Sequence, residues 1–262
     1  MSRTSQLTGG AIAITVAVGL AVVAYGGGNV AVLAGAIALS AVGVELSPRG
    51  WLVLSIVTIQ LLFFVGVSLA YLAHRDITLA DIGVEWPSLE GWIALGAGYI
   101  GLIVLWLVAS IATFFVADRL GIERTPQSII EIGQQDPFVF VLLAVLSVLI
   151  VGPAEELLFR GVIQTRLRET FGVVVALTVA TALFALIHVF GFLGGGIGGA
   201  VLGISVLFVI GSVLAVVYEY TGNLVVVAIL HGLFNATQGA FGYFSVQAGD
   251  LATVALLLFG VA

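Results

Sequence analysis

Two adjacent glutamates and an arginine, Glu155, Glu156 and Arg160, stand within VGPAEELLFRGVIQTRLRE at 151–169, inside an apolar stretch long enough to cross hydrocarbon. Ionised groups at that depth cost several kcal/mol unless they are paired or lined by water, so such residues are functional candidates. Helix positions turn by about 100° each, which puts Glu156 and Arg160 on nearly one face and points Glu155 elsewhere. Arg160 can then neutralise Glu156 and leave Glu155 free. A free carboxylate in such a place is suited to take a proton from water.

Two further polar groups interrupt later apolar runs. His188, in TALFALIHVF, lies one helical turn beyond Phe184 on the same face, and AILHGLFNATQ places His231 and Asn235 four residues apart. A lone histidine in such a run is more often a satisfied core residue, and a buried Glu–Arg pair can be purely structural. Two aligned polar side chains each need a buried partner, which favours a shared site. The third histidine, His74, sits beside Arg75 at a span end and reads as interfacial. Together Glu155, Glu156, His188, His231 and Asn235 can supply a base for water, an orienting imidazole and donors for a tetrahedral oxyanion. That is the equipment of a peptide or amide hydrolase. The same groups also suit zinc, with Glu155, His188 and His231 as ligands and one position open for water, although the HExxH spacing is absent.

The elements that must position these residues are membrane helices. The chain has 262 residues, 61% hydrophobic and 8% charged, with a mean hydropathy of +1.26; soluble domains carry about 25% charged residues. Apolar runs near 10–25, 29–46, 51–73, 91–117, 137–169, 171–190, 198–218 and 223–244, with a short one at 248–262, predict eight or nine spans. The expected fold is an all-α polytopic membrane protein, one transmembrane domain over 1–262 whose helices enclose a polar intramembrane cavity. Residues 1–50 form extra N-terminal spans, and 137–240 form the core that carries the polar residues. The apolar stretch from Ala11 to Ala24 behind Arg3 resembles a secretory signal, but its direct run into further spans favours a retained first helix. Tyr25 followed by Gly26, Gly27 and Gly28 predicts a turn between the first two spans.

Gly152 and Pro153 predict a kink or break just before Glu155, because proline removes a backbone donor and crowds the preceding turn. Broken backbone at membrane depth survives only where it is buried in protein or lines a cavity. The absence of cysteine excludes disulfides, thiolate metal sites and a cysteine nucleophile. Eight arginines against fourteen acidic residues and no lysine argue against nucleic-acid binding. The cluster of Arg160, Arg166 and Arg168 is the densest basic group and marks the cytosolic end under the positive-inside rule, placing the glutamates toward that half. GFLGGGIGGA at 191–200 lacks the Lys-Ser/Thr of a phosphate loop, so close helix packing and a flexible loop near the site are its simplest roles.

Three patterns now stand in order on separate predicted spans. EELLFR at Glu155–Arg160 resembles EExxxR, FALIH at Phe184–His188 resembles FxxxH, and HGLFN at His231–Asn235 resembles HxxxN, the motifs of the CPBP family, which comprises CAAX prenyl endopeptidases of the Ras-converting type and the bacteriocin-related Abi proteins. TLADIGVEWP at 78–87 is similar to the loop that precedes the family's core helices. The resemblance implies an eight-helix integral membrane endopeptidase with a water-filled cavity open to the cytosol. It implies that Glu155 activates water with help from His188, that His231 and Asn235 hold the oxyanion, and that Glu156 and Arg160 are a structural pair. The preferred chemistry needs no metal cofactor; a zinc enzyme is the alternative. Its partners would be the lipid bilayer and a membrane-associated peptide or protein, CAAX-like or bacteriocin-like. The rivals are a proton-coupled transporter that uses Glu, His and Arg as a relay, against which there is only one interrupted helix and no internal repeat, and a silent scaffold that binds a membrane peptide.

Overall fold

A computed structural model describes residues 3–122 and 128–249. Within them the chain is helical, with no strand. Helix α1 runs Arg3–Ala21 and continues through a wide turn at Val22–Gly26 into Gly27–Ala41. Then come α2 (Pro48–His74), α3 (Leu89–Leu120), the short α4 (Ser128–Gln135), α5 (Phe138–Arg168), α6 (Val173–Ile187), α7 (Gly196–Thr221) and α8 (Leu224–Gln247). A 3₁₀ stretch, Val189–Gly195, leads into α7. Among the described residues, α1, α2, α3, α5, the Val189–Thr221 stretch and α8 are long and apolar enough to cross a membrane; α6 is apolar but only 15 residues long.

The all-helical polytopic bundle is as the composition requires, but two details differ from the sequence reading. The predicted spans 10–25 and 29–46 form one continuous helix, because Gly26, Gly27 and Gly28 stay in helical geometry. The missing side chains of Gly27 and Gly28 serve packing. A Cβ on Gly27 would come within 2.6 Å of the Phe63 ring, and one on Gly28 within 3.2 Å of the Ile59 backbone. Pro153 likewise breaks nothing: α5 runs through it, with wider π-type turns at Ser147–Val151 before it and Leu157–Gln164 after it. Such a turn lets the helix absorb an unmade backbone bond by changing its winding, and π-type turns are frequent at functional sites. The expected ninth run at 248–262 lies almost wholly outside the described residues.

Helix starts follow capping chemistry. Ser47, Ser88 and Asn223 each accept a backbone N–H three residues on, from Gly50, Gly91 and Val226 respectively. The loop at 78–87 clips onto the turn between α7 and α8. Leu224 donates its N–H to the Gly83 carbonyl at 2.8 Å, Tyr218 its hydroxyl to the Ile82 carbonyl at 3.1 Å, and Asn223 its amide to the Glu85 carbonyl at 3.2 Å. Gly83 has φ +75°, and a Cβ there would overlap the Gly222 carbonyl, so glycine is required on both counts.

Two ion-paired rims close the bundle. At one end, Arg75 and Arg166 both bind Glu169, and Arg168 binds Glu219, tying α2, α5 and α7 together. At the other, Arg49 grips Asp136 through two hydrogen bonds of 2.6 and 2.9 Å and lies 4.7 Å from the Phe138 ring centre, joining the starts of α2 and α5. The Arg49 guanidinium holds the Asp136 carboxyl below the usual carboxylate range.

The packing that matters most for the site is the antiparallel crossing of α5 and α8, where the backbones nearly touch. A Cβ on Gly232 would lie 2.7 Å from the Val148 Cα and 2.9 Å from the Ser147 carbonyl oxygen; one on Gly152 would lie 2.8 Å from the Ala228 carbonyl oxygen; one on Gly239 would lie 2.8 Å from the Phe140 carbonyl oxygen. Small residues permit this approach in membranes, where packing rather than hydrophobic burial holds helices together. It brings His231, one residue before Gly232, onto the two glutamates three and four residues after Gly152.

Candidate active site

Glu155, Glu156, Arg160 and His231 are 4%, 0%, 1% and 3% exposed. The expected pair forms: Arg160 Nη1 donates to Glu156 Oε1 at 3.1 Å, and Nη2 donates to the Gly211 carbonyl at 2.9 Å. The guanidinium also lies over the Phe184 ring, 4.8 Å from its centre. Phe184 is the aromatic hub of the site. It packs edge-on against Phe159 at 5.3 Å and His231 at 5.8 Å, and tilted against His188 at 5.0 Å. A phenyl face of negative potential suits the buried cation, and ring edges fill the space that water would otherwise enter.

Glu156 does more than pair with arginine. Its Oε1 also lies 2.7 Å from His231 Nδ1. A carboxylate oxygen can only accept there, so Nδ1 carries a proton and Nε2 is the ring nitrogen left for other partners. That Nε2 is 3.7 Å from Glu155 Oε2, too long for a direct hydrogen bond. His188 is fixed in the same way. Its Nδ1 lies 2.8 Å from the Phe184 carbonyl, which can only accept, so the neutral ring presents Nε2 as an acceptor.

Glu155 is not free, as the helical wheel suggested; Gln60 Nε2 on α2 donates to its Oε1 at 3.0 Å. The sequence reading missed Gln60. The signal available was a lone carboxamide in the apolar run IVTIQLLFFV, by the same argument that singled out the histidines.

A cavity of about 260 Å³ unites the candidates: Glu155, Phe184, His188, His231 and Asn235 all line it. Glu156 and Arg160 do not. Most of the remaining wall is apolar, including Trp106, Phe140, Leu143, Val151, Phe192 and Phe234. Phe192 comes from the glycine-rich stretch and sits where Gly203 has no side chain, so that segment packs closely beside the site as its composition suggested. On α5 the lining residues are Phe140, Leu143, Ser147, Val151 and Glu155, and on α8 they run from His231 to Gly239. The cavity therefore runs from Glu155 toward the rim with α4, Arg49 and Asp136. It runs away from Arg166 and Arg168.

Among the described residues, no three His, Asp or Glu side chains are grouped to hold a metal ion. Glu155, His188 and His231 share the cavity wall, and their hydrogen bonds to Gln60, Phe184 and Glu156 leave Glu155 Oε2 and the two Nε2 atoms as the groups that would hold a metal.

Residues 137–237 match the model of a family described as Rce1-like, the type II CAAX prenyl endopeptidases. No curated protein and no solved structure matches the chain. The matched segment begins at the head of α5 and ends just after Asn235, so it holds all three motifs and every one of the candidate catalytic residues. Over residues 137–237 the chain is therefore similar to the type II CAAX prenyl endopeptidases, in agreement with the resemblance carried by the three motifs.

Proposed function

We propose that the protein hydrolyses a peptide bond in a membrane-associated substrate, of the CAAX type or related to it, with Glu155 as the base. The observation that carries this reading is the convergence of the Glu155 carboxylate, two oriented imidazoles and a carboxamide on one apolar cavity. Glu155 Oε2 takes a proton from a water that His188 Nε2 holds by its other hydrogen. The water oxygen attacks the carbonyl carbon, and the resulting oxyanion is met by His231 Nε2–H and the Asn235 amide. Glu155 then passes its proton to the leaving nitrogen, the C–N bond breaks and the carboxylate is restored. Because His231 Nδ1–H is committed to Glu156, donation from Nε2 requires the doubly protonated ring; in that state the buried charges of Glu155, Glu156, Arg160 and His231 sum to zero. Buried charges are tolerated when paired in this way.

The test is purified protein in liposomes, offered a prenylated CAAX peptide, its unprenylated form and a set of transmembrane peptides. Asn235→Ala should lower kcat by about a hundredfold to a thousandfold at unchanged KM, because the donor meets charge that develops only in the transition state. A raised KM with normal kcat would make Asn235 a substrate-binding residue. Proton-coupled uptake by the wild type, with no cleavage of any peptide, would replace the hydrolase by a carrier.

We also place the cavity mouth in the cytosol, as the family resemblance implies, which sets Arg166 and Arg168 at the opposite surface. The arginine excess there is offset by Glu169 and Glu219, to which these residues are bound. The chain contains no cysteine, so single cysteines can be read directly. With a membrane-impermeant maleimide on right-side-out cells, Arg168→Cys should label and Asp136→Cys should not; the reverse pattern would turn the protein over.

A further inference from the structure

We propose, building on the hydrolase reading above, that Gln60 is a positioning residue for Glu155: a carboxamide from α2, outside the family-matched segment, that fixes which carboxylate oxygen faces the substrate. Gln60 is 9% exposed and lies behind Glu155, outside the cavity lining. Its Nε2 donates to Glu155 Oε1 at 3.0 Å. The orientation of the amide is set by chemistry, since a carboxylate can only accept. With Oε1 held, Oε2 is the oxygen left beside His231 Nε2 at 3.7 Å.

Two observations separate this role from packing. The other amide atom, Gln60 Oε1, is buried with no hydrogen-bond partner. An unpaired buried carbonyl is destabilising, and an apolar side chain of similar size would avoid it, so the amide is poorly explained by stability and well explained by the carboxylate it holds. The winding of both helices also changes where they meet. Gln60 lies within the wide π-type stretch Ile56–Val65, and Glu155 lies between two such stretches on α5. This winding re-aims side chains relative to a regular helix and recurs at functional sites.

Gln60→Leu and Gln60→Met keep the volume and remove the donor. On the prenylated CAAX peptide, or on whichever peptide of the same panel the wild type cleaves fastest, both should lower kcat by about tenfold to a hundredfold at unchanged KM, the scale expected for a displaced reacting group. The thermal midpoint in detergent should change little, because loss of the orphan carbonyl offsets the hydrogen bond that Glu155 Oε1 gives up. Normal kcat in both variants would overturn the proposal. So would a loss of kcat that tracks a fall in thermal midpoint, which would make Gln60 a packing residue. Cleavage by Glu155→Gln would instead sink the hydrolase mechanism itself; an inactive Glu155→Gln beside fully active Gln60 variants would remove only the role of Gln60.

Discussion

Glu155→Gln should lower peptide hydrolysis by roughly a hundredfold to ten-thousandfold, the usual contribution of a positioned general base, while leaving the folded protein as stable as the wild type. The substitution preserves shape and length. The new amide oxygen can still accept from Gln60 Nε2, so the buried hydrogen bond of 3.0 Å survives. What is lost is the basic Oε2 that lies 3.7 Å from His231 Nε2. Initial rates on the peptide panel, read beside thermal midpoints in detergent, check both halves of the expectation. Proteolysis at the wild-type rate would remove Glu155 from the role of base, whatever else the cavity does.

The same residue shows where sequence reasoning stops. Helical spacing correctly paired Glu156 with Arg160, because an i, i+4 contact is local and survives even a change to π-type winding. It also placed Phe184 with His188 and His231 with Asn235, and the structure brings all of these to one cavity. Spacing is silent about contacts between helices. Gln60 lies 95 positions before Glu155, and His231 lies 75 positions after Glu156, so neither hydrogen bond has a local signature. The glycines were misread for a related reason. Gly26, Gly27 and Gly28 carry the composition of a turn, but in a membrane bundle a missing side chain is as often room for a neighbouring helix, here for Ile59 and Phe63. The direction of the cavity was equally out of reach. It depends on which face of α5 meets which half of α8, set by Gly152, Gly232 and Gly239, and charge counts at helix ends carry no information about that.

The buried pair behind the site should show the largest stability effect. Arg160 is 1% exposed, bonded to Glu156 and to the Gly211 carbonyl, and stacked on Phe184. Arg160→Ala strips the charge from beside Glu156 and leaves a carboxylate sealed at 0% exposure, with its Oε2 already lacking a partner. Breaking such a pair costs about 3–5 kcal/mol, a large share of a membrane domain's margin, so expression and detergent thermal midpoint should both collapse. Removing both charges is a different matter. The double variant Glu156→Leu with Arg160→Met replaces the ion pair by apolar side chains of comparable bulk, and buried pairs exchanged in that way are often neutral or stabilising. Stability should therefore return. Activity should not, because Glu156 Oε1 is also the acceptor 2.7 Å from His231 Nδ1, and without it the imidazole loses the partner that orients its Nε2 toward the oxyanion. A double variant that regains both stability and turnover would reduce Glu156 to a counter-ion for Arg160; one that regains stability alone assigns it the second duty, in which a single carboxylate neutralises the arginine and aims the histidine.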